Sequence, residues 1–269
     1  MILFRIYREK MTKNNNKDSG IALVTGAGSR IGREIALGLS RVGWSVAIHY
    51  SQSHKNAQVT ANDIRELGGA AEIFCADLRD EKEVKSLIPN ICDKLGNVTC
   101  LINNASVFEQ DNIETASLDS WLSHMQVNLQ APFFLSQAMV VQGKSAKRKN
   151  IINIIDQRVL NLTPFFSSYT ISKSALWTLT QTLAMSLAPE IRVNAVSPGP
   201  TLPSSRQDPE QFKQQYLATP LKKSVAPSEI VDAVLFILAT PSMTGQMITI
   251  DSGQHLGWSI PETNEKSEE

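Results

Sequence analysis

The stretch Thr25-Gly26-Ala27-Gly28-Ser29-Arg30-Ile31-Gly32 decides the fold, because it separates a short apolar run from a helical pattern. Glycines in such a turn let the backbone bend tightly and approach a pyrophosphate, whose charge meets free N–H groups at the helix N-terminus. A glycine-rich turn alone is a weak signal, and a plain tight turn is the alternative. Its place after the first strand of a strand–helix–strand pattern favours a dinucleotide site.

Outward from this turn, short β-type runs alternate with helical stretches. Most of the strand candidates are continuous apolar runs, which is typical of parallel strands covered on both faces. They are Ile21–Thr25, Ser45–Tyr50, Ala71–Ala76, Cys100–Asn103, Asn150–Ile155, Arg192–Val196 and Gln246–Ile250. The helical stretches lie near 31–42, 55–67, 80–95, 119–141, 167–187 and 228–239. The alternation predicts a single-domain α/β Rossmann fold, a doubly wound seven-stranded parallel sheet with helices on both faces.

The pattern assigns residues 20–258 to this domain, 1–19 to a flexible N-terminal extension and 259–269 to a C-terminal tail. Residues 198–226 break the alternation, because they are rich in proline and polar residues. A long insertion after the carboxyl end of a strand is a common place for a loop that covers a substrate. We therefore predict that 198–226 is the substrate loop.

Composition excludes several functional classes. The 269 residues include 26 Lys plus Arg and 26 Asp plus Glu, so the formal net charge is zero and gives no footprint for nucleic acid or an anionic membrane. No apolar run approaches the roughly 18 residues that a membrane span needs. The three cysteines are scattered, so neither a disulfide framework nor a metal site is predicted. A cytoplasmic enzyme or small-molecule-binding protein remains.

The end of the second strand indicates which dinucleotide is bound. An Asp or Glu about 20 residues beyond the glycines would bind both ribose hydroxyls of NAD and repel a 2′-phosphate. Here the chain reads His49-Tyr50-Ser51-Gln52-Ser53-His54-Lys55, without a carboxylate. Arg30 in the glycine turn suits a phosphate. We therefore predict NADP(H) over NAD(H).

Tyr169 and Lys173 are spaced i, i+4 and share one face of the helix near 167–187. A phenol with a pKa of about 10 is a poor proton donor at neutral pH. A lysine charge a few ångströms away favours the phenolate, so we expect Lys173 to lower the pKa of Tyr169. The pair follows the strand that leads to Asp156. We expect the carboxyl end of this strand to face the cofactor crevice, together with Tyr169 and Lys173.

With these residues in place, the chain resembles the short-chain dehydrogenase/reductase family from about residue 20 to 258. The matching pieces are TGAGSRIG at 25–32, Asp77, Asn103-Asn104-Ala105, Asn128, YTISK at 169–173, Pro198-Gly199, Thr244-Gly245-Gln246 and Asp251-Ser252-Gly253.

The resemblance implies a set of cofactor-binding residues and a homotetramer built on the helices near 119–141 and 167–187 and on the C-terminal strand. The implied cofactor residues are Gly26, Gly28, Ser29, Arg30, Ile31, Gly32, His49, Ser53, Asp77, Leu78, Asn104, Ala105, Ser106, Tyr169, Lys173, Pro198 and Gly199. Asp77 is expected to contact adenine, and Asn128 to support a water relay to Lys173. From the residues alone, Asp77 could equally cap the next helix and Asn128 could be an ordinary polar residue.

Two positions depart from the common family pattern. Asp156 stands 13 residues before Tyr169, where most members have a serine, and Arg30 replaces the middle glycine of the turn. An ionised aspartate only accepts hydrogen bonds, so it would oppose the developing oxyanion of a reduced ketone and suit a substrate with N–H donors. Both departures resemble pteridine reductases and dihydromonapterin reductases.

That subgroup implies a pterin site formed by Arg30, Ser106, Phe108, Asp156 and Tyr169, with Phe108 stacked on the flat heterocycle. The predicted function is NADPH-dependent reduction of a pterin or dihydrofolate-type C=N bond, with Tyr169 as proton donor and Lys173, Asp156 and Asn128 as catalytic partners. A 3-oxoacyl thioester or other ketone reductase is the alternative. A non-catalytic NADP(H) sensor is more remote.

Overall fold

The computed structural model describes residues 20–142, 148–204 and 206–257. The predicted extension 1–19 and tail 259–269 lie outside these residues. Seven parallel strands form one sheet in the order β3-β2-β1-β4-β5-β6-β7. They are β1 Ile21–Val24, β2 Ser45–Tyr50, β3 Ala71–Cys75, β4 Val98–Asn103, β5 Lys149–Ile154, β6 Ile191–Pro198 and β7 Met247–Ile250. The predicted fold class is confirmed.

Helices occupy the connections between strands. They are α1 Arg30–Arg41, α2 His54–Glu66, α3 Glu81–Leu95, α4 Leu118–Met125, α5 Ala131–Val141, α6 Ser167–Ser186, α7 Pro209–Leu217 and α8 Pro227–Ala239. Short 3-10 turns cover Gln157–Val159 and Gln254–Leu256. The stretch near 119–141, predicted as one helix, is divided by a π-helical turn at Gln126–Gln130. In the described part of the chain, no helix is long and apolar enough to cross a membrane.

The strands are apolar throughout because both faces of the sheet are covered. In β1, Ala22 and Val24 belong to one buried cluster with side chains of α1, α2 and α8, whereas Leu23 belongs to a second cluster with side chains of α3 and α5. Successive strand residues point to opposite faces, so a run without polar positions fills two cores at once. On the first face, Gly38 of α1 lets Val231 of α8 approach, since a β-carbon there would lie 2.3 Å from Val231 Cγ1.

The strand order reverses between β1 and β4, which positions the site. β1 pairs with β2 on one side and β4 on the other, so the connections after β1 and β4 diverge to opposite sides of the sheet. In open parallel sheets this divergence leaves a crevice at the carboxyl ends of the strands. The glycine turn opens directly into it.

The predicted substrate loop contains a helix that the proline-rich composition obscures. Asp208 is the N-cap residue of α7, and its carboxylate accepts hydrogen bonds from the N–H groups of Glu210 and Gln211. The Gln211 side-chain oxygen accepts a hydrogen bond from the Asp208 N–H, and Pro209 occupies the first helical position. Proline content alone predicts a loop here, whereas this capping box is a local sequence signal for the start of a helix.

His49 connects the ends of β2 and β3 to the glycine turn. Its Nδ1 accepts the Gly26 N–H at 3.1 Å, and its Nε2 lies 3.0 Å from the carbonyl of Ala76, to which it donates. The ring is 2% exposed. Burial lowers the pKa of His49 to about 4, outweighing the opposing hydrogen bond to Ala76 and the charge of Asp77. His49 is therefore neutral at physiological pH, as both contacts require.

This arrangement predicts that His49 makes the fold acid-sensitive. The pKa is lower in the folded than in the unfolded chain, so the stabilisation is complete above about pH 6.5 and is lost as pH falls toward 4. Between pH 7 and pH 5 the wild type should lose about 2 kcal/mol through this residue. Urea unfolding at both pH values should show a correspondingly shallower loss in His49→Gln. The exposed His54→Gln is the matched control, and an unchanged pH dependence in His49→Gln would contradict the assignment.

Candidate active site

A cleft of about 450 Å³ opens at the carboxyl ends of four strands. Gly26 follows β1, Asn104 follows β4, Asp156 follows β5 and Pro198 ends β6, and all four line the cleft. The chain crosses this edge repeatedly, which brings together residues far apart in sequence.

Most of the predicted site residues meet in this cleft. Those lining it are Gly26, Ser29, Arg30, Ile31, Gly32, Asn104, Ala105, Ser106, Phe108, Asp156, Tyr169, Lys173, Pro198 and Gly199. The predicted residues outside its lining are Gly28, His49, Ser53, Asp77, Leu78 and Asn128. Parts of 198–226 also border the cleft, through Leu202, Ser204, Gln207 and Gln215.

The glycine turn is held by the end of β4. Asn104 donates from Nδ2 to the carbonyl of Thr25 at 2.8 Å, and the Thr25 hydroxyl accepts the N–H groups of Asn104 and Ala105. A β-carbon at Gly32 would lie 2.3 Å from the Gly26 carbonyl, so only glycine fits there. The close-packed turn and the N-terminus of α1 form a cradle suited to a pyrophosphate.

Arg30 extends from this turn to the substrate loop. Its guanidinium donates to the carbonyls of Pro203 at 2.8 Å and Leu202 at 3.2 Å. The backbone of Arg30 has φ of +54°, in the left-handed region that glycine adopts without strain. The chain thus keeps the conformation of a glycine position while placing a cation at the cleft.

The residues expected near the adenosine end lie around the ends of β2 and β3. Ser53 is exposed at the N-terminus of α2. Asp77 pairs with Arg79 at 2.6 Å, and that hydrogen bond lowers the pKa of the Asp77 carboxyl. Both ring nitrogens of His49 are engaged by backbone groups, so the structure gives this neutral ring a positioning role and no charge for a phosphate.

Tyr169 donates its hydroxyl to Asp156 Oδ2 at 2.8 Å. Burial, followed by the charge of Asp156 and this hydrogen bond, raises the pKa of Tyr169 well above its ordinary value. The expectation that Lys173 lowers this pKa is therefore wrong for the site as it stands. Lys173 Nζ lies 5.8 Å from the centre of the phenol ring and donates to the carbonyl of Ile154 at 2.8 Å. The carboxylate is the closer charge, and Tyr169 holds its proton.

Lys173 is also buried, at 2% exposure. Burial lowers the pKa of Lys173 to about 8, while the charge of Asp156 acts in the opposite direction. At pH 7 the ammonium is therefore still mostly charged. The cleft thus contains a buried cation beside a carboxylate that is hydrogen-bonded to a protonated phenol.

Asn128 lies in the π-helical turn and is fully buried. Its Oδ1 accepts the N–H of Val107 at 2.8 Å and the hydroxyl of Ser106 at 3.2 Å, and its Nδ2 donates to Ser172 Oγ at 3.0 Å. These contacts fix the loop after β4 against α6. The expected relay from Asn128 to Lys173 stays a prediction, since the side-chain contacts of Asn128 in the structure are with these other groups.

An aromatic wall forms one side of the cleft. Phe108 stacks on Phe166 with ring centres 4.6 Å apart and planes within 8°, and it meets the edge of Tyr169 at 4.6 Å. One face of Phe108 is therefore covered by protein. Phe166, which no sequence pattern singles out, is fully buried and is the N-cap residue of α6, with φ of +57°.

A second group that the sequence patterns do not reveal lies beneath Tyr169. His124 is buried and its ring centre lies 6.0 Å from that of Tyr169. Its Nε2 accepts the N–H of Glu109 at 3.1 Å, and its Nδ1 lies 2.9 Å from Ser168 Oγ. Asp111 accepts bonds from the hydroxyl and N–H of Ser168. These residues join the loop carrying Phe108 to the helix carrying Tyr169. His124 and Asp111 lie 44 and 57 positions before Ser168, so no local sequence pattern indicates their contact.

The chain matches a family model described as enoyl-(acyl carrier protein) reductase over residues 26–255. The crystal structure of FolM alternative dihydrofolate reductase 1 from Brucella canis, complexed with NADP, has a TM-score of 0.87 and 42% identity, covering 91% of this chain and 97% of that one. The angucycline C-6 ketoreductase LanV with bound NADP has a TM-score of 0.83 and 30% identity, with coverage of 90% and 98%. A 3-oxoacyl-[acyl-carrier-protein] reductase from Synechocystis sp. is 30% identical over 239 residues, 87% of this chain and 96% of that protein.

Proposed function

The chain belongs to the short-chain dehydrogenase/reductase family, and from this premise we propose that it is an NADPH-dependent reductase of a pterin or dihydrofolate-type C=N bond. One observation carries the proposal: Asp156 stands where a ketone reductase needs a hydrogen-bond donor, and its carboxylate accepts the Tyr169 hydroxyl. The similarity to the Brucella alternative dihydrofolate reductase, higher than that to the ketoreductases compared with it, supports the same choice.

The cradle fits a dinucleotide. The pyrophosphate would be held by Gly26, Gly32 and the N-terminus of α1. Asn104 would fix the glycine turn, and Lys173 would contact the nicotinamide end of the dinucleotide. The NADP present in the Brucella structure supports NADP(H) over NAD(H). When bound, the nicotinamide supplies the hydride.

Tyr169 is a proton donor whose proton is kept in place until a base arrives. Its raised pKa makes Tyr169 a weaker acid than a free phenol, so it gives up its proton only to a strongly basic acceptor. An imine nitrogen is more basic than a carbonyl oxygen and accepts it more readily as the C=N bond is reduced. Asp156 also accepts N–H donors of the substrate, while Lys173 stabilises the negative charge left on the Tyr169–Asp156 pair.

A ketone reductase is the second candidate. The Synechocystis thioester reductase and LanV support it, since each matches nearly the whole chain at about the same identity. Asp156 opposes it, because a carboxylate at this place repels the oxyanion that forms when a carbonyl accepts hydride.

Tyr169→Phe should retain NADPH binding and lose at least two orders of magnitude in kcat, since the ring still packs against Phe108 but the proton is gone. NADPH fluorescence titration measures the binding and NADPH oxidation measures the rate. Turnover close to that of the wild type would remove Tyr169 from proton transfer.

Asp156→Ser should lower kcat/KM for dihydrobiopterin and dihydrofolate at least tenfold and leave an acetoacetyl thioester unchanged or improved. The measurement is NADPH oxidation with the three substrates in parallel, with the exposed Asp93→Ser of α3 as the matched control. Turnover of the thioester alone by the wild type would identify a ketone reductase. Cofactor binding without turnover of any substrate would identify a sensor.

We also propose a homotetramer in the cytoplasm, as expected for the family. Large apolar side chains are exposed on α5 and α6, including Val141 at 78% and Met185 at 77%. Exposed apolar side chains of this size support burial against another copy. Sedimentation velocity should give a species of about four times 29.6 kDa, and a monomer at micromolar concentration would contradict this.

A further inference from the structure

Arg158 is a buried cation in the cleft that the proposed reaction does not use. Its side chain lines the cleft two residues beyond Asp156, and the residue is 8% exposed. The guanidinium donates once, to Thr163 Oγ1 at 3.1 Å. Among the residues the structure describes, no carboxylate lies within ion-pair distance of it. The other N–H groups of the guanidinium make no hydrogen bond with the residues that the structure describes.

The guanidinium is fixed on the aromatic wall. Its central carbon lies 4.7 Å from the ring centre of Phe166 and 5.9 Å from that of Phe108. The same Phe108 ring contacts the edge of Tyr169. Cation–π contacts of this kind hold an arginine in one orientation without consuming its N–H donors. Arg158 thus lies on the wall beside the proton donor.

A second unsatisfied group stands next to it. Gln157 also lines the cleft and is 6% exposed, and its Oε1 has no hydrogen-bond partner in the described part of the chain. Asp156 and Gln157 thus bring acceptor oxygens, and Arg158 brings N–H donors, to the same wall. Buried polar groups usually have partners, so the unpartnered amide oxygen of Gln157 beside the N–H donors of Arg158 indicates a ligand.

We propose that Arg158 is a specificity-determining residue that donates hydrogen bonds to an acceptor oxygen of the substrate, the ring oxo group of a 2-amino-4-oxo pteridine. The inference rests on the proposed function and specifies which edge of the heterocycle the site recognises. In that ring the 4-oxo oxygen complements a guanidinium, while the N–H groups complement the acceptors Asp156 and Gln157. A 4-amino group at the same place would direct N–H donors at a cation.

The same donor chemistry could serve the carboxylates of a folate side chain. Two observations favour the ring oxygen. Arg158 is deeply buried, whereas a long charged side chain extends toward the open mouth of a cleft, and Arg158 shares the Phe108 contact with Tyr169, next to the reacting bond. Comparing ligands with and without the side chain distinguishes the two sources.

The experiment measures affinity, so it does not depend on turnover. Calorimetry on the protein saturated with NADP⁺ compares 2-amino-4-oxo-6-methylpteridine, 2,4-diamino-6-methylpteridine and folate, in the wild type, Arg158→Met and Arg158→Lys. Arg41→Met, an exposed arginine at the end of α1, is the matched control. The wild type should prefer the oxo over the diamino ring about tenfold or more. Arg158→Met should weaken oxo-ring and folate binding about 10- to 100-fold and leave the diamino ring within about twofold.

Each contrary result has a distinct meaning. Unchanged oxo-ring affinity in a folded Arg158→Met overturns the inference and leaves the proposed function intact. If Arg158→Met weakens folate binding but leaves the affinity for 2-amino-4-oxo-6-methylpteridine unchanged, Arg158 binds the folate side chain. This result also overturns the inference. If Arg158→Met fails to fold, the wild type alone tests the inference, and equal affinity of the wild type for the oxo and diamino rings overturns the inference. Absence of binding of all three ligands to the wild type defeats the proposed function and the inference together.

Discussion

Thr25 joins the first and fourth strands at the point where both end. Its hydroxyl accepts two backbone N–H groups from the loop after β4, and its carbonyl accepts the Asn104 side chain. These bonds set the width of the crevice where the strand order reverses. The glycine turn packs so closely against Asn104 that residue 32 has no space for a side chain. The phosphate cradle and the substrate side of the cleft are both anchored to this one junction.

The chemistry depends on how burial and charge act together on a few groups. Tyr169, Lys173 and Arg158 are all nearly inaccessible, and Asp156 is the acidic residue in contact with the phenol. A low-dielectric cleft strengthens electrostatic interactions, so the charge nearest to a group has the largest effect on the pKa of that group. The carboxylate at 2.8 Å therefore governs the phenol more than the lysine does. The buried Asp111–Ser168–His124 group supports the same helix from below.

Much of the fold is predictable because the signals are local. Seven apolar runs form seven strands, and the Tyr169–Lys173 spacing places both residues on one face of α6. What fails depends on contacts between distant parts of the chain. The pKa of Tyr169 is predicted in the wrong direction because spacing does not reveal burial or the position of Asp156. Phe166 and His124 escape prediction because their partners come from other segments. The helix α7, by contrast, has a local signal.

The π-helical turn at Gln126–Gln130 has a consequence for how this chain can vary. Such a turn holds one residue more than an α-helical turn, and each α-helical residue advances the helix by about 100°. Removing one residue from this segment would restore a continuous helix and rotate α5 by that angle relative to α4. Asn128 would then leave the loop it fixes, and the buried face of α5, which includes Leu135 and Met139, would turn away from the sheet. Across related chains this segment should accept substitutions on its outer side and resist any change in length.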